Sequence, residues 1–437
     1  MKKDIRKRIA EFHRLRQEVV GSRRHLIVAV DVAKRSHLAT MMDGRKRVLL
    51  RKLRFSNDLD GFAKLEEAAG EIRRRENMDK IVLGMEPTGG YWKPLAWHFA
   101  RLRGEGAWEV ATVRPAATAG NRKTLDSCPD KTDWRDAHNV GDLISQGKFH
   151  RFRQLPAEGA EQARLLRMYY LAREQSSRRK VRIRQVYGEI FPELELWLKK
   201  KLYSLRWRRV LSEHPTAGEL LGLGSRLGKR LRRWGRRAGF EPEGGRALEL
   251  ARRTVGVAEE EEGARLELVW LWRELELAER KAAEALKRLT AHMEPREDYR
   301  LLQSIPGVGP VLAAGLLAEI GDVGRFGNYK ELISFAGLDV IGRQSGGWSS
   351  QRRVVSKNGR KLLRTVAYQA ALSASRLEGE FKDCYQRALA RQDERKRVKR
   401  KAIVKVADKV LRVAWGVLKG GQAYRADHRS EAVAKAA

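Results

Sequence analysis

Two short apolar runs that each end on an acid constrain this chain most. Leu26-Ile27-Val28-Ala29-Val30 is continuous, of strand length, and stops at Asp31; Lys80-Ile81-Val82-Leu83-Gly84-Met85 repeats the pattern and stops at Glu86. Further strand-like runs lie at Leu38 to Met42, Val48 to Phe55 and Trp108 to Val113. Between them, Asp58 to Arg75 carries Phe62, Leu65 and Ala69 at helical spacing, and Tyr91 to Leu102 follows the Pro87-Thr88-Gly89-Gly90 turn as a second helix. Strands that alternate with helices predict a mixed α/β sheet domain over 24–153, preceded by a basic extension over 1–23.

Ligand sites in open α/β sheets gather at the carboxyl ends of the strands, where Asp31 and Glu86 fall. A second pair of acids, Asp133 and Asp136, sits in Lys131-Thr132-Asp133-Trp134-Arg135-Asp136-Ala137, ahead of the periodic run Ala137, Val140, Leu143, Ile144. On a helix, positions i and i+3 share a face, so both carboxylates project together. Two readings fit. Asp133 caps the helix and Asp136 is solvated, or the four acids converge on a hard divalent cation such as Mg2+ (or Mn2+), which takes carboxylates and keeps its other positions for water and phosphate oxygens.

The charge balance says what surrounds these acids. The 437 residues include 91 Lys plus Arg against 55 Asp plus Glu, a net charge of +36 that recurs along the whole chain. Such a surface suits a polyanion, with counterion release making affinity salt-dependent. A membrane surface fits less well, since no apolar run reaches about 18 residues and Met1 to Arg6 lacks an apolar signal core. The expectation is a cytoplasmic, nucleoid-associated protein with no membrane partner. Cys128 and Cys384 stand far apart and indicate neither a disulfide framework nor a zinc site.

From 154 to 299 the chain becomes Leu- and Arg-rich and strand-poor. Ala163 to Glu189, and Glu262 to His292 with Leu268, Leu271, Leu275, Ala278, Ala282, Ala285 and Leu289, predict two long amphipathic helices forming a coiled-coil linker. Their stripe serves as core or as a dimer seam. An irregular basic module is expected between them at about 196–255, whose run Arg226 to Arg237 faces RNA or only solvent. Over 300–420, Leu301 to Pro310 contains Ile305-Pro306-Gly307-Val308-Gly309-Pro310 between two apolar helices, as in a helix-hairpin-helix. There Gly307 and Gly309 would let backbone N–H groups approach a DNA phosphate; a plain helix turn is the alternative. Next comes Gly342-Arg343-Gln344-Ser345-Gly346-Gly347-Trp348, with Arg343, Arg352, Arg353, Lys357 and Arg360 close in sequence. Ser345 is an ordinary loop serine, or a nucleophile that these cations assist at phosphorus. The stretch 421–437 is a tail.

These motifs together carry a family resemblance. Val-Ala-Val-Asp31-Val-Ala-Lys, Gly-Met-Glu86-Pro-Thr-Gly-Gly-Tyr-Trp and Lys-Thr-Asp133-Trp-Arg-Asp136-Ala resemble the four-acid signature of the DEDD transposases of bacterial insertion sequences. These are the RNA-guided bridge recombinases, the family numbered one hundred and ten in insertion-sequence nomenclature. Pro-Gly-Val-Gly-Pro, Ala-Glu-Ile-Gly-Asp (318–322), Phe-Ala-Gly-Leu, Ser-Gly-Gly, Val-Ser-Lys-Asn-Gly (355–359) and Leu-Leu-Arg (362–364) are similar, in order, to that family's C-terminal domain. The resemblance implies an α/β plus all-α chain with a RuvC-like, ribonuclease H-fold N-terminal domain, a helical linker and a mainly helical C-terminal transposase domain. It further implies that Asp31, Glu86, Asp133 and Asp136 bind Mg2+ and that Ser345 is the catalytic serine, with Ser349, Ser350 and Ser356 as rivals because Asp339-Val340 departs from the family pattern. The partners it implies are DNA, a structured noncoding guide RNA and further copies of the chain, as a dimer or tetramer whose active site lies within one chain or is shared between copies. Two other functions fit the residues: a metal-dependent nuclease of branched DNA, and a non-enzymatic nucleic-acid-binding protein.

Overall fold

A computed structural model describes residues 13–102, 108–125, 132–152, 156–233, 240–341, 344–345, 348–349, 354–392 and 398–426. It forms two compact units, Met1–Pro156 and Ala157–Ala437.

In the first unit, helix α1 runs through residues 13–19. Then come β1 (His25–Asp31), β2 (Ser36–Asp43), β3 (Val48–Ser56), α2 (Leu59–Arg75), β4 (Lys80–Met85), α3 (Trp92–Arg101), β5 (Trp108–Thr112), α4 (Pro115–Leu125), α5 (Asp133–Ser145) and β6 (His150–Arg151). The six strands form one sheet in the order β3-β2-β1-β4-β5-β6. β1 runs antiparallel to β2 and parallel to β4, β4 is parallel to β5, and β3 and β6 close the edges antiparallel. The mixed α/β expectation holds.

The continuous apolar character of β1 follows from burial on both faces. Leu26, Val28 and Val30 join Phe62 and Leu65 of α2 and Leu95 and Phe99 of α3, while Ile27 and Ala29 join Val140, Leu143 and Ile144 of α5. Each such side chain contributes about 1.5–3 kcal/mol on burial. Gly84 lets α5 lie close on β4, since a Cβ there would stand 1.8 Å from Ile144 Cδ1. That close approach brings the first turn of α5 to the carboxyl ends of the central strands.

The second unit is helical. α6 (Ala157–Ile190) and α12 (Glu261–Met293) pair antiparallel, with Arg179 opposite Glu274 and Arg182 Nε 2.5 Å from Glu267 Oε1. Along α12 the buried positions Ala264, Leu268, Leu271, Leu275, Ala278, Ala282, Ala285 and Leu289 alternate in steps of four and three. This stripe is spent within the chain, against α6 and the short helices. The expected irregular module is itself folded: α7 (Pro192–Leu198), α8 (Leu205–Glu213), α9 (Ala217–Leu223), α10 (Arg226–Arg233) and α11 (Phe240–Arg252) share a core with the fully buried Trp207, Tyr187 and Trp272. Its basic run hides a helix because Leu227, Gly228 and Leu231 turn inward while Arg226, Lys229, Arg230, Arg232 and Arg233 stay exposed.

The remaining elements are α13 (Glu297–Gln303), α14 (Pro310–Ile320), α15 (Tyr329–Ala336), β7 (Val340–Ile341), β8 (Gln344–Ser345), β9 (Trp348–Ser349), β10 (Val354–Val355), α16 (Lys361–Ala374), α17 (Glu380–Ala390) and α18 (Lys399–Gly420). The two glycines between α13 and α14 differ in use. Gly307 has φ +82°, and a Cβ there would meet the Ala374 backbone nitrogen at 2.4 Å, so it seats the turn against α16. Gly309, at the N-cap of α14, is exposed, with open space where a Cβ would stand. Gly307→Ala combines left-handed strain with displaced backbone packing and is expected to cost roughly 2–4 kcal/mol of stability, read from chemical denaturation; Gly309→Ala should cost less than about 1 kcal/mol. Equal losses at the two positions would contradict this division. Among the described residues no helix is long and apolar enough to cross a membrane.

Candidate active site

The acids of the first unit stand where strand ends meet helix beginnings. Asp31 is the last residue of β1 and Glu86 directly follows β4. Beside them α5 starts at Asp133, and the capping side chain is Thr132, whose hydroxyl accepts from Arg135 N at 3.4 Å. Asp133 is therefore the first helical residue and not the cap.

Asp31, Glu86 and Asp136 line one polar cleft of about 160 Å3, together with Thr118 and Arg122 of α4 and Asn139 of α5. The fourth acid turns elsewhere: the Asp133 side chain is 62% exposed and faces Arg54 Nη2 of β3 at 3.3 Å. Asp133 and Asp136 thus start one helical turn with different partners, and three of the four sequence-derived acids meet in the cleft.

Helix α4 completes it. The Thr118 hydroxyl lies between the Glu86 carboxylate, a close partner, and the Pro115 carbonyl oxygen at 2.9 Å. One turn later, Arg122 Nη2 stands 2.6 Å from Asp136 Oδ1. That oxygen is buried and receives no hydrogen bond of acceptable angle, so the contact is one of charge and not of direction. Asn121 Nδ2 reaches Asn139 Oδ1 at 2.9 Å and Asp142 Oδ2 at 2.7 Å, and Asn139 Nδ2 donates to the Thr118 carbonyl at 2.8 Å. These bonds pin α4 to α5. Asp142 is itself buried and lies 2.6 Å from Lys46 Nζ. Burial raises its pKa, but the Lys46 ammonium beside it and the hydrogen bond from Asn121 outweigh that and hold the carboxyl below the usual range.

Around the cleft rim the sequence left two features unread. Arg51 stacks over the Trp134 ring at 4.5 Å, and Trp134 stacks on His138 at 5.2 Å, the i, i+4 spacing that could have signalled it. His37 closes the turn after Asp31, its Nδ1 accepting from Ala33 N at 3.2 Å, and burial lowers its pKa so that the imidazole is held neutral.

The donor set fits a hard cation by type, being three carboxylates in a polar cleft. As they stand, no three of the described His, Cys, Asp and Glu side chains are grouped to hold one, and Arg122 supplies the countercharge.

In the second unit, β7 pairs with β10 and β8 with β9, both antiparallel, and Ser345 faces Trp348 across the short hairpin. The expected loop is a small β-arm. At its base the Ser356 hydroxyl donates to Asp339 Oδ1 at 2.6 Å and accepts from Asn358 N at 3.3 Å, which gives this rival serine a structural task. Lys357 is exposed, with φ +56°. Arg360 Nε donates to the buried Glu319 at 2.9 Å and its guanidinium lies 5.8 Å over the Phe335 ring, so the charge of Arg360 is largely spent on anchoring the arm. Arg343, Ser350, Arg352 and Arg353 lie outside the described residues.

Comparison with known proteins places both regions. A transposase model of the IS110 DEDD type matches residues 28–192, and the model for the transposase IS116/IS110/IS902 family matches 299–386. The chain is 28% identical over 361 residues to the mini-circle transposase assigned to IS117 of Streptomyces coelicolor, covering 79% of this chain and 84% of that protein. It is 30% identical over 227 residues to the transposase for insertion sequence element IS1111A of Coxiella burnetii, covering 51% and 59%. It is also 30% identical over 127 residues to a pilin gene-inverting protein of Moraxella lacunata, covering 29% and 38%. With one match over the acidic cleft and the other over the helices and arm of the C-terminal region, both regions of the chain support a DEDD transposase of the IS116/IS110/IS902 type, an enzyme that cleaves and joins DNA.

Proposed function

We propose that this transposase cleaves DNA through a covalent phosphoserine at Ser345, with Asp31, Glu86 and Asp136, joined by Asp133, forming a Mg2+ site that assists it. The observation that carries the reading is the cleft of three carboxylates, at the ends of β1 and β4 and the start of α5, in a chain with net charge +36. Bound there, a divalent cation would supply electrophilic stabilisation of a phosphoryl group. The Ser345 oxygen bonds phosphorus as its proton leaves, and the displaced deoxyribose oxygen departs protonated. Because the phosphoserine conserves the phosphodiester energy, joining runs the same exchange backwards with another strand's hydroxyl.

The strand order, with β2 antiparallel beside β1 and parallel β4 and β5, supports a RuvC-like, ribonuclease H-type reading of the first unit. The α13–α14 turn, exposed at Gly309, supports a helix-hairpin-helix that grips phosphate without reading sequence. Sequence choice would fall to a structured noncoding RNA that pairs with target and donor, an assignment resting on family likeness, and the cleft and serine would meet within a dimer or tetramer.

One reconstitution tests the whole reading: purified protein, labelled element-end DNA, Mg2+ and the transcript of the element's flanking noncoding DNA. The expected product is a protein–DNA adduct that survives denaturation and needs both Mg2+ and transcript. Free ends without adduct would assign the reaction to water attack, and cutting without transcript would remove RNA guidance.

A further inference from the structure

We infer that Arg122 is a resident competitor for the cation of the acidic cleft, holding Asp136 until a divalent ion replaces it. The inference rests on the metal-site reading above, but its observations lie in α4. Thr118 and Arg122 are one helical turn apart and face two different acids, Glu86 and Asp136. The Asp136 side chain is only 16% exposed, and its buried Oδ1 has the Arg122 charge beside it but no hydrogen bond of good angle. A buried anionic oxygen in that state needs a cation, and Arg122 is the basic side chain among those lining the cleft.

The ion pair is also built to open. Asn121 and Asn139 fix the backbone of α4 against α5, so the helix cannot withdraw, whereas the Arg122 side chain is 43% exposed on a long flexible stem. Rotation of one side chain therefore exchanges guanidinium for metal without moving either helix. With the guanidinium in place, no three acidic or other ligating side chains among the described residues are grouped for a cation. Three carboxylates against one guanidinium leave the cleft negative, so an entering divalent ion is attracted while Arg122 must be displaced.

The test is direct Mn2+ binding, followed by electron paramagnetic resonance and calorimetry, on the full chain and three variants. Arg122→Gln is expected to bind Mn2+ about five-fold more tightly than the unmodified protein, the ratio that a partly exposed ion pair can impose. Arg122→Lys, which keeps the charge, should stay near the unmodified affinity, and Asp136→Asn should lose the site. Unchanged or weaker binding by Arg122→Gln, or equal tightening by both Arg122 variants, overturns the role of Arg122 while leaving the metal site standing. If no protein binds Mn2+, both readings fall together.

Discussion

Asp136→Asn should abolish strand cleavage while leaving the protein folded and able to bind DNA. The amide is close to isosteric with the carboxylate, and it keeps the place of residue 136 in the first turn of α5, so the packing of Val140 and Ile144 on the sheet is not disturbed. What disappears is the charge that Arg122 pairs with and that a cation in the cleft would share with Asp31 and Glu86. The cleavage rate is expected to fall at least about a thousand-fold, the scale of losing one preorganised charge-stabilising group. DNA affinity should hold, because the positive charge spread over the chain supplies it. Thermal denaturation, a filter-binding isotherm and the initial cleavage rate separate the three effects, and a variant that cuts at the native rate would take Asp136 out of the chemistry. Asp133→Asn is the informative companion. Its carboxylate sits outside the cleft lining, held by an exposed pair with Arg54 worth about 0–1 kcal/mol. Loss of cleavage there would mean that the side chain swings in during the reaction; full activity would reduce the acid set to Asp31, Glu86 and Asp136.

Much of this site was legible before any coordinates because its acids end strands that are apolar on both faces. Such runs stand out as continuous blocks, and Gly84 within one of them marks where α5 must approach. The i, i+3 spacing placed Asp133 and Asp136 in one helical turn, but spacing cannot tell which partner each acid meets, and Arg54 and Arg122 divide them. Helix α4 was not legible at all. Its sequence Pro-Ala-Ala-Thr-Ala-Gly-Asn-Arg-Lys-Thr-Leu has no apolar stripe, and only Thr118 among its residues is buried, so the helix that supplies both Thr118 and Arg122 leaves no periodic trace. The helices of the expected module between α6 and α12 failed to register for the opposite reason. Arginines crowd the two inward leucines of α10, and the core around Trp207 is assembled from helices each too short to show a period alone. Thr132 took the cap that one of the two readings gave to Asp133, since a threonine hydroxyl reaches the N3 amide and leaves the aspartates free to face the cleft and its rim.

Ser345→Ala is expected to remove the covalent adduct altogether and to lower strand cleavage by at least about ten-thousand-fold, because losing the attacking atom leaves only binding and electrostatic contributions. The substitution suits its position. Ser345 contributes backbone to β8, paired with Trp348, and alanine preserves that ladder. The arm should therefore persist, with its anchors at Glu319–Arg360 and Ser356–Asp339 unaltered. Its rivals predict different behaviour. Ser356→Ala removes a hydrogen bond worth about 1 kcal/mol at the base of the arm and so should slow the reaction modestly while the adduct still forms. Ser349, opposite Gln344 in the same hairpin, should tolerate alanine with the adduct intact. Protease digestion of the trapped adduct, followed by mass spectrometry of the DNA-linked peptide, identifies the serine independently of rate. An adduct retained by Ser345→Ala but lost in Ser356→Ala would move the nucleophile to Ser356 and make Asp339, 2.6 Å from its hydroxyl, the base that activates it.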